Sequence, residues 1–270
     1  MSLDSGRLID AEVPPEVRQE RIAGLVQDNG FVRAVDLASR FQVSTVTIRS
    51  DLQALEARGR LHRIRGGAVP ANVTAGEQPF EAAALDLATE KSHIGTHAAR
   101  LVASGETVLL DVGTTTTAVA RSLIARADLR DVTVFTTALN VALELERAYP
   151  RITVVVTGGT LRPLQHSLVN PLATVLLSTL NASICFIGCN GVDVRGGITN
   201  INLPEAEIKR AMLLAARRRV IVADGSKLGE VELAKVCDID EISLVITDRT
   251  ADPAVISEIE TAGCTVELAP

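Results

Sequence analysis

The chain has 270 residues, a formal net charge of −6, no Trp and a single Tyr. An acidic balance argues against a general polyanion binder, and the scarcity of aromatic rings argues against stacking on single-stranded nucleic acid. No run is long and apolar enough to span a bilayer and no secretory signal opens the chain, so a cytoplasmic location with no membrane partner is expected. The four cysteines (185, 189, 237 and 264) show no zinc-ligand pairing and read as free buried thiols; no metal or cofactor is expected.

The charge is unevenly spread. Residues 15–70 hold nine Arg against six acids, a net of +3, whereas residues 71–270 hold 17 Lys/Arg against 24 Asp/Glu, a net of −7. A basic head on an acidic body fits one module that meets phosphates and another that does not. An excess of +3 is modest, so tight binding to a duplex calls for two heads and hence a homo-oligomer, a dimer or tetramer.

In chain order, residues 1–14 read as a frayed leader. Arg18 to Asn29 carries Ile22, Leu25 and Val26 at helical spacing and stops before Gly30. Phe31-Val32-Arg33 reads as a short apolar link, Val35 to Phe41 as a second helix, and Gln42-Val43 as a tight turn. Ser44 is then an N-cap for a third helix, on which Ile48, Leu52 and Leu55 form one buried stripe. Thr45, Arg49, Ser50 and Gln53 fall on its other faces, where they could reach base edges and phosphates. A basic hairpin follows with Arg60, His62, Arg63 and Arg65, and Gly66-Gly67 ends it. Three short helices and a hairpin make a winged helix-turn-helix over 15–70, although an amphipathic surface helix with an ordinary hairpin fits the same local pattern.

These residues resemble the DeoR-type bacterial transcriptional regulators. In that family the recognition helix reads T-[IV]-R-[RK]-D-L and the wing ends R-x-H-G-G-A. The counterparts here are Thr47-Ile48-Arg49-Ser50-Asp51-Leu52 and Arg63-Ile64-Arg65-Gly66-Gly67-Ala68. Ser50 replaces a usual cation and Arg65 a usual histidine, so positive charge moves from helix to wing. The expected DNA-binding set is Ser44, Thr45, Thr47, Arg49, Ser50, Gln53, Arg63 and Arg65.

After a linker over 71–82, residues 83–270 alternate strands and helices. Apolar β-rich runs lie at 107–111, 132–136, 152–156, 183–187, 219–223 and 242–246, with helices expected near 86–103, 116–127, 138–148, 169–180 and 204–217. Such alternation predicts a mostly parallel, doubly wound α/β sheet. The strands end in small or glycine-rich turns: Asp111 to Thr117, Thr136-Thr137, Gly158-Gly159-Thr160, Gly188 to Gly191, and Asp224 to Lys227. Open α/β sheets bind ligands outside the carboxyl ends of their strands, and a threonine-rich turn opening a helix suits an anion. No Gly-Lys-Ser/Thr follows, so it is not a nucleotide P-loop.

The turns also match the DeoR sensor domain, so with the head the resemblance covers about 17–268. Its stretches D-x-G-T-T, T-N-x-L, Gly-Gly, F-[IL]-G-x-x-G, E-x-x-x-K and D-x-[ST]-K have counterparts at Asp111 to Thr115, Thr137 to Asn140, Gly158-Gly159, Phe186 to Gly191, Glu205 to Lys209 and Asp224 to Lys227. Thr137 stands where Asn is usual nearby, and Asn170 precedes Pro171 where Gly is common. That domain is similar in fold to ribose-5-phosphate isomerases, which implies a phosphorylated sugar as effector with its phosphate at Gly113 to Thr116. The expected effector set is Lys91, Asp111, Gly113, Thr114, Thr115, Thr116, Thr137, Gly158, Gly159, Asn190, Glu205, Lys209, Asp224 and Lys227. Glu205 and Lys209 at i, i+4 also fit a plain helix-surface ion pair.

The expected function is a regulator, a repressor of a carbohydrate operon released from double-stranded DNA by a phosphorylated sugar. The rival is a sugar-phosphate isomerase with an appended head, against which Gly188-Cys189-Asn190-Gly191 lacks the isomerase's aspartate-rich loop. A third reading, metal sensing through His93 and His97, rests on their i, i+4 spacing alone.

Overall fold

A computed structural model of the chain describes residues 13–29, 31–64, 66–71 and 77–270. Residues 1–12 of the expected leader, the expected helix stop Gly30, Arg65 of the wing and residues 72–76 of the linker lie outside the described residues. The chain divides into two compact units, one ending at Ala82 and the other beginning at Ala83.

The first unit contains α1 (Pro15–Asn29), β1 (Val32–Arg33), α2 (Ala34–Phe41), α3 (Thr45–Ala57), β2 (Leu61–Ile64) and β3 (Gly67–Pro70). Gln42 adopts a left-handed conformation that ends α2. Two residues on, the Ser44 hydroxyl accepts the Thr47 backbone N–H at 3.0 Å and starts α3. The stripe expected on α3 is buried: Ile48, Leu52 and Leu55 pack with Ile22 and Val26 of α1, Leu37 and Phe41 of α2, and Leu61 of β2.

The link expected at 31–33 is instead largely a strand. β1 pairs antiparallel with β3, which also pairs with β2, so the wing has three strands. Gly67 permits this, because a Cβ there would sit 2.2 Å from the Val32 carbonyl oxygen. A two-residue strand has too little periodicity to announce itself, and its partners lie far along the chain, Val32 opposite Ala68 and Arg33 opposite Gly67.

Inside the head, Arg18 of α1 donates to Asp51 of α3 through Nε at 2.6 Å and Nη2 at 3.2 Å. Gln19 Nε2 adds a third bond to the same carboxylate at 2.9 Å. A bidentate pair this enclosed fixes the crossing of α1 on α3.

The second unit begins at the end of a short helix, α4 (Phe80–Ala83), which occupies the close of the expected linker. Its sheet has seven parallel strands in the order β15 (Thr265–Leu268), β14 (Leu244–Thr247), β12 (Ala216–Val222), β9 (Ala182–Ile187), β4 (Thr107–Leu110), β5 (Val132–Thr136), β6 (Ile152–Val156). Alternate residues of each central strand face opposite sides. Val108, Leu110, Ile184, Phe186, Val220 and Val222 pack with α5 (Ala88–Ala99), α6 (Thr114–Ala125) and α7 (Leu139–Leu145). Leu109, Cys185, Ile187 and Ile221 pack with α8 (Leu172–Leu177), α9 (Leu203–Leu214) and α10 (Pro253–Thr261). This is the doubly wound arrangement, with helices on both faces.

Two small antiparallel sheets were not legible beforehand: β7 (Thr160–Arg162) with β8 (Ser167–Val169), and β10 (Gly191–Asp193), β11 (Gly197–Asn200) and β13 (Ala234–Cys237). They decorate the carboxyl-end side of the parallel sheet. From β4 the chain winds outward through β5 to β6, then returns to β9 on the other side of β4. The switch point therefore lies between β4 and β9, where the turns at Asp111 and Gly188 meet.

Asp51→Ala leaves the Arg18 guanidinium buried without a counter-ion. It should cost about 3–5 kcal/mol in urea unfolding of the full chain, and Arg18→Met with Asp51→Leu should recover most of the loss. Equal stability of Asp51→Ala and the parent would show that the pair does not hold the head.

Candidate functional site

On the head, Arg49, Ser50 and Gln53 are exposed on α3, and Thr45 and Thr47 are partly exposed. Ser44 and Thr47 are committed to the cap, their hydroxyl oxygens 2.9 Å apart. Thr45, Arg49, Leu52, Arg63, Gly66 and Gly67 line a cleft between α3 and the wing. Arg63 is exposed but its Nε meets Glu56 at 2.6 Å, and Arg60 pairs with Glu20 at 2.8 Å. Such surface pairs contribute about 0–1 kcal/mol, so a phosphate can displace them. Arg49 makes no ion pair or hydrogen bond among the described residues. One feature escaped the sequence reading: Val46, on the first turn of α3, is 70% exposed. An apolar side chain there suits a thymine methyl.

On the body, the strand ends carry the candidate effector residues to one rim. Gly113, at φ 135°, caps α6 in a backbone conformation that favours glycine. The Thr116 and Thr117 hydroxyls turn back to the Gly113 carbonyl at 2.9 and 2.7 Å, so they brace the turn. The backbone N–H groups of Thr114, Thr115 and Thr116 have no acceptor among the described residues. They give the helix end its positive potential. Gly158 and Gly159 both take positive φ after β6. Thr137 is buried, with its hydroxyl unpartnered among the described residues, as is Oδ1 of Asn140 one helical turn on.

Behind the rim lies an enclosed charge cluster. Asp111 and Lys209 form an ion pair at 2.5 Å with side chains 1% and 3% exposed. Asp111 Oδ2 also accepts the Gly188 N–H at 3.1 Å, and Lys209 Nζ donates to the Gly188 carbonyl at 3.0 Å. Burial pushes the Asp111 carboxyl up, only partly offset by Lys209. Burial opposes the Lys209 ammonium, yet the attraction of Asp111 and Glu205 outweighs it and holds its pKa above the ordinary value.

Glu205 is buried too. Its carboxylate takes Arg162 of β7 and the Ser167 hydroxyl of β8, the latter at 2.6 Å, and its N–H is capped by Asn202 at 3.1 Å. The alternative of a Glu205–Lys209 surface ion pair is thereby overturned: both residues are buried and each binds a different partner. Arg162 and Ser167 were missed because their link to Glu205 crosses about forty residues.

Three further residues close the arrangement. Lys91 Nζ donates to the carbonyls of Ala83 and Asp86, both at 2.8 Å. Burial draws its pKa down, while Asp224 nearby pulls it back up and Lys227 adds to the depression. Asp224 caps its own turn, accepting from Ser226 N at 3.2 Å and from Ser226 Oγ at 2.5 Å. Lys227 is half-buried and its ammonium has no partner among the described residues. Asn190 braces a loop, its Oδ1 accepting Ile201 N–H at 3.2 Å. Cys189 sits within the field of Lys209, Lys227, Asp224 and Asp111, and burial pushes its thiol to about 12.

Of the other histidines considered, His97 pairs with Glu267 at 2.6 Å, whereas His93 is exposed on α5. Among the described residues no group of three or more His, Cys, Asp or Glu is placed to hold a metal ion. No helix among them is long and apolar enough to cross a membrane.

A winged head with an exposed reading helix, joined to an α/β body with a polar rim, defines a transcriptional regulator of the helix-turn-helix class. Residues 18–74 match the DeoR-like helix-turn-helix domain and residues 87–249 the DeoR C-terminal sensor domain. The chain belongs to the DeoR family. It is 36% identical to the HTH-type transcriptional regulator GlpR of Haloferax volcanii, covering 93% of this chain and 97% of that one. It is 32% identical to the transcriptional repressor AccR of Agrobacterium fabrum, covering 86% and 88%. A solved ribose 5-phosphate isomerase A from Methanocaldococcus jannaschii aligns over 51% of this chain and 52% of its own, at 18% identity and a TM-score of 0.38. The protein is thus a DNA-binding transcriptional regulator.

Lys209→Met isolates the Asp111 carboxylate in the interior, at a cost of about 3–5 kcal/mol near neutral pH. Its folded pKa then lies well above the unfolded value, so the folded state binds more protons and stability falls as pH rises from the acid side. The deficit relative to the parent should therefore shrink between pH 8 and pH 5 in urea titrations. A deficit independent of pH would show that Asp111 is not the group left uncompensated.

Proposed function

We propose that the protein is a cytoplasmic repressor of a carbohydrate operon, working as a homo-oligomer and released from double-stranded DNA by a phosphorylated sugar. The observation that carries the effector reading is the meeting of three free N–H groups at the amino end of α6 with a rim that also bears the unpartnered Lys227. Oriented N–H dipoles and an unpartnered ammonium suit a phosphate dianion. Gly113, Thr114, Thr115 and Thr116 hold the phosphate through the backbone, Gly158 lies beside it, and Gly159 lets β8 approach, since a Cβ there would sit 2.1 Å from the Val169 carbonyl oxygen. Asp111, Glu205 and Lys209 act from behind, as positioning groups, with Thr137, Asn190, Lys91 and Asp224 shaping the sides.

On the DNA, α3 enters the major groove with Arg49 at a guanine edge or phosphate and Thr45, Ser50 and Gln53 beside it. Ser44 and Thr47 hold the helix start, while Arg63 and Arg65 of the wing meet the backbone. Paired heads read half-sites about one helical turn or a multiple apart. The effector releases the DNA only to the extent that it binds the non-reading arrangement more tightly. The repressor name carried by the Agrobacterium relative supports this sign of regulation.

The test starts from a duplex selected out of a random pool by the full chain. Phosphorylated sugars, their dephosphorylated forms and inorganic phosphate are then titrated against the complex. Release by one sugar phosphate, but not by its free sugar, is the expected result; indifference to every phosphorylated compound would overturn the effector reading.

Two substitutions separate the halves. Arg49→Ala should weaken binding to the selected duplex about tenfold to a hundredfold at physiological salt. Lys227→Ala should retain that affinity and lose the response to the sugar phosphate; loss of DNA binding instead would make Lys227 structural.

A further inference from the structure

The parallel sheet has two edges, and they differ. At one edge, β15 carries Glu267, engaged by His97, and Pro270 follows two residues after the strand. A charge and a proline are the usual means by which an edge avoids pairing with another chain. At the other edge, β6 reads Ile152-Thr153-Val154-Val155-Val156, with no charge, proline or glycine. Thr153 and Val156 are exposed, Val154 and Val155 partly so, and Tyr149, just before the strand, is 75% exposed.

Backbone direction decides which groups face outward. Arg151 accepts from Val132 of β5, and Thr157 donates to Thr136 of β5, so odd-numbered residues of β6 turn towards β5. Ile152, Val154 and Val156 therefore point their N–H and C=O groups away from the sheet, and none of these groups has a partner among the described residues. The three positions are symmetric about Val154.

We propose that β6 pairs antiparallel with β6 of a second copy of this chain, about a two-fold axis through Val154, and so joins the two bodies into one continuous sheet. Val154 then opposes Val154 of the second copy and exchanges both backbone hydrogen bonds with it, while Ile152 opposes Val156 on either side. That register makes about six hydrogen bonds between chains and satisfies every outward-facing group of the strand. It is also the self-complementary contact that a two-fold interface requires.

Charge favours a second copy over a charged peptide. The register sets Arg151 opposite Thr157, not opposite another Arg151. The Arg151 guanidinium is in any case engaged with the carbonyls of Arg126 and Ile124, at 2.8 and 3.1 Å. No like charges meet along the strand, and nothing on it would attract an acidic or basic partner.

This inference rests on the paired-head reading above, and the tests distinguish the two. Sedimentation of the full chain reports whether it is oligomeric at all; a monomer at micromolar concentration overturns both. Val154→Cys tests the edge itself. Hydrogen-bonded antiparallel partners lie about 5.5 Å apart between Cα atoms, within disulfide range. Of the four native thiols, Cys185, Cys189 and Cys237 are pushed to about 12 and Cys264 to about 11, so they stay silent.

Mild oxidation of Val154→Cys should convert most of the chain to a covalent dimer on a non-reducing gel, while Val266→Cys on β15 should remain single. An oligomer whose Val154→Cys form does not cross-link would place the interface elsewhere. Val154→Arg, which opposes two guanidinium groups across the axis, should halve the particle mass with a near-parental thermal melt; a folded variant of unchanged mass would overturn the proposal.

Discussion

Three segments that are distant in sequence meet at the Asp111–Lys209 ion pair. Asp111 follows β4, Lys209 lies midway along α9, and they bind the N–H and carbonyl of Gly188 after β9. This triangle closes the place where the winding of the sheet reverses. With the carboxylate satisfied by an ammonium and an N–H, and the ammonium by a carboxylate and a C=O, two charges can remain in an apolar interior. Remove either charge and the turns at both strand ends lose their common anchor, including the turn that starts α6. The geometry of the rim is therefore set by a pair that is itself enclosed.

Both units follow one division of labour. In the head, Asp51 holds Arg18 inside while Arg49, two residues before Asp51 on the same helix, stays unpaired outside. In the body, Asp111, Glu205 and Lys209 are consumed by internal bonds, while Lys227 and the first N–H groups of α6 are left open. Enclosed charges fix backbone positions because their geometry is costly to disturb. Exposed charges cost little to redirect, which is what a binding surface needs. The D-x-G-T-T and E-x-x-x-K stretches thus mix two kinds of residue, those that build the rim and those that face outward from it.

That mixture explains how far the sequence could be read. Helical stripes and caps are local, so α3, its Ser44 cap and its buried face were legible, as were six of the seven strands of the parallel sheet. β1, the hairpin of β7 and β8, and the small sheet of β10, β11 and β13 were not, because short strands owe their existence to partners elsewhere. α10 and β15 lie beyond the last strand read from the sequence. Among the site residues, Glu205 and Lys209 are four apart on one helix, and spacing alone suggested that they pair. The structure gives them separate partners, since a helix turned inward answers to the strands beneath it before its own neighbours. In the wing, Arg63, expected at the DNA, has Glu56 within its reach, a pairing that residue spacing alone did not announce.

The position of the rim groups also bears on how a ligand could act at a distance. The α6 amino end follows β4 and belongs to the half of the sheet that winds towards β6. Lys227 and Asp224 follow β12 and belong to the half that winds towards β15. A phosphorylated ligand that accepts from the first group and pairs with the second would bridge the two halves across the switch point. Its binding energy would then depend on their separation, and a dependence of that kind is what allows a small molecule to favour one arrangement of a body over another. The buried triangle sits directly beneath that bridge. It holds β4 and β9 together, so any adjustment falls to the turns and helix ends above them, where the first N–H groups of α6 have no acceptor among the described residues.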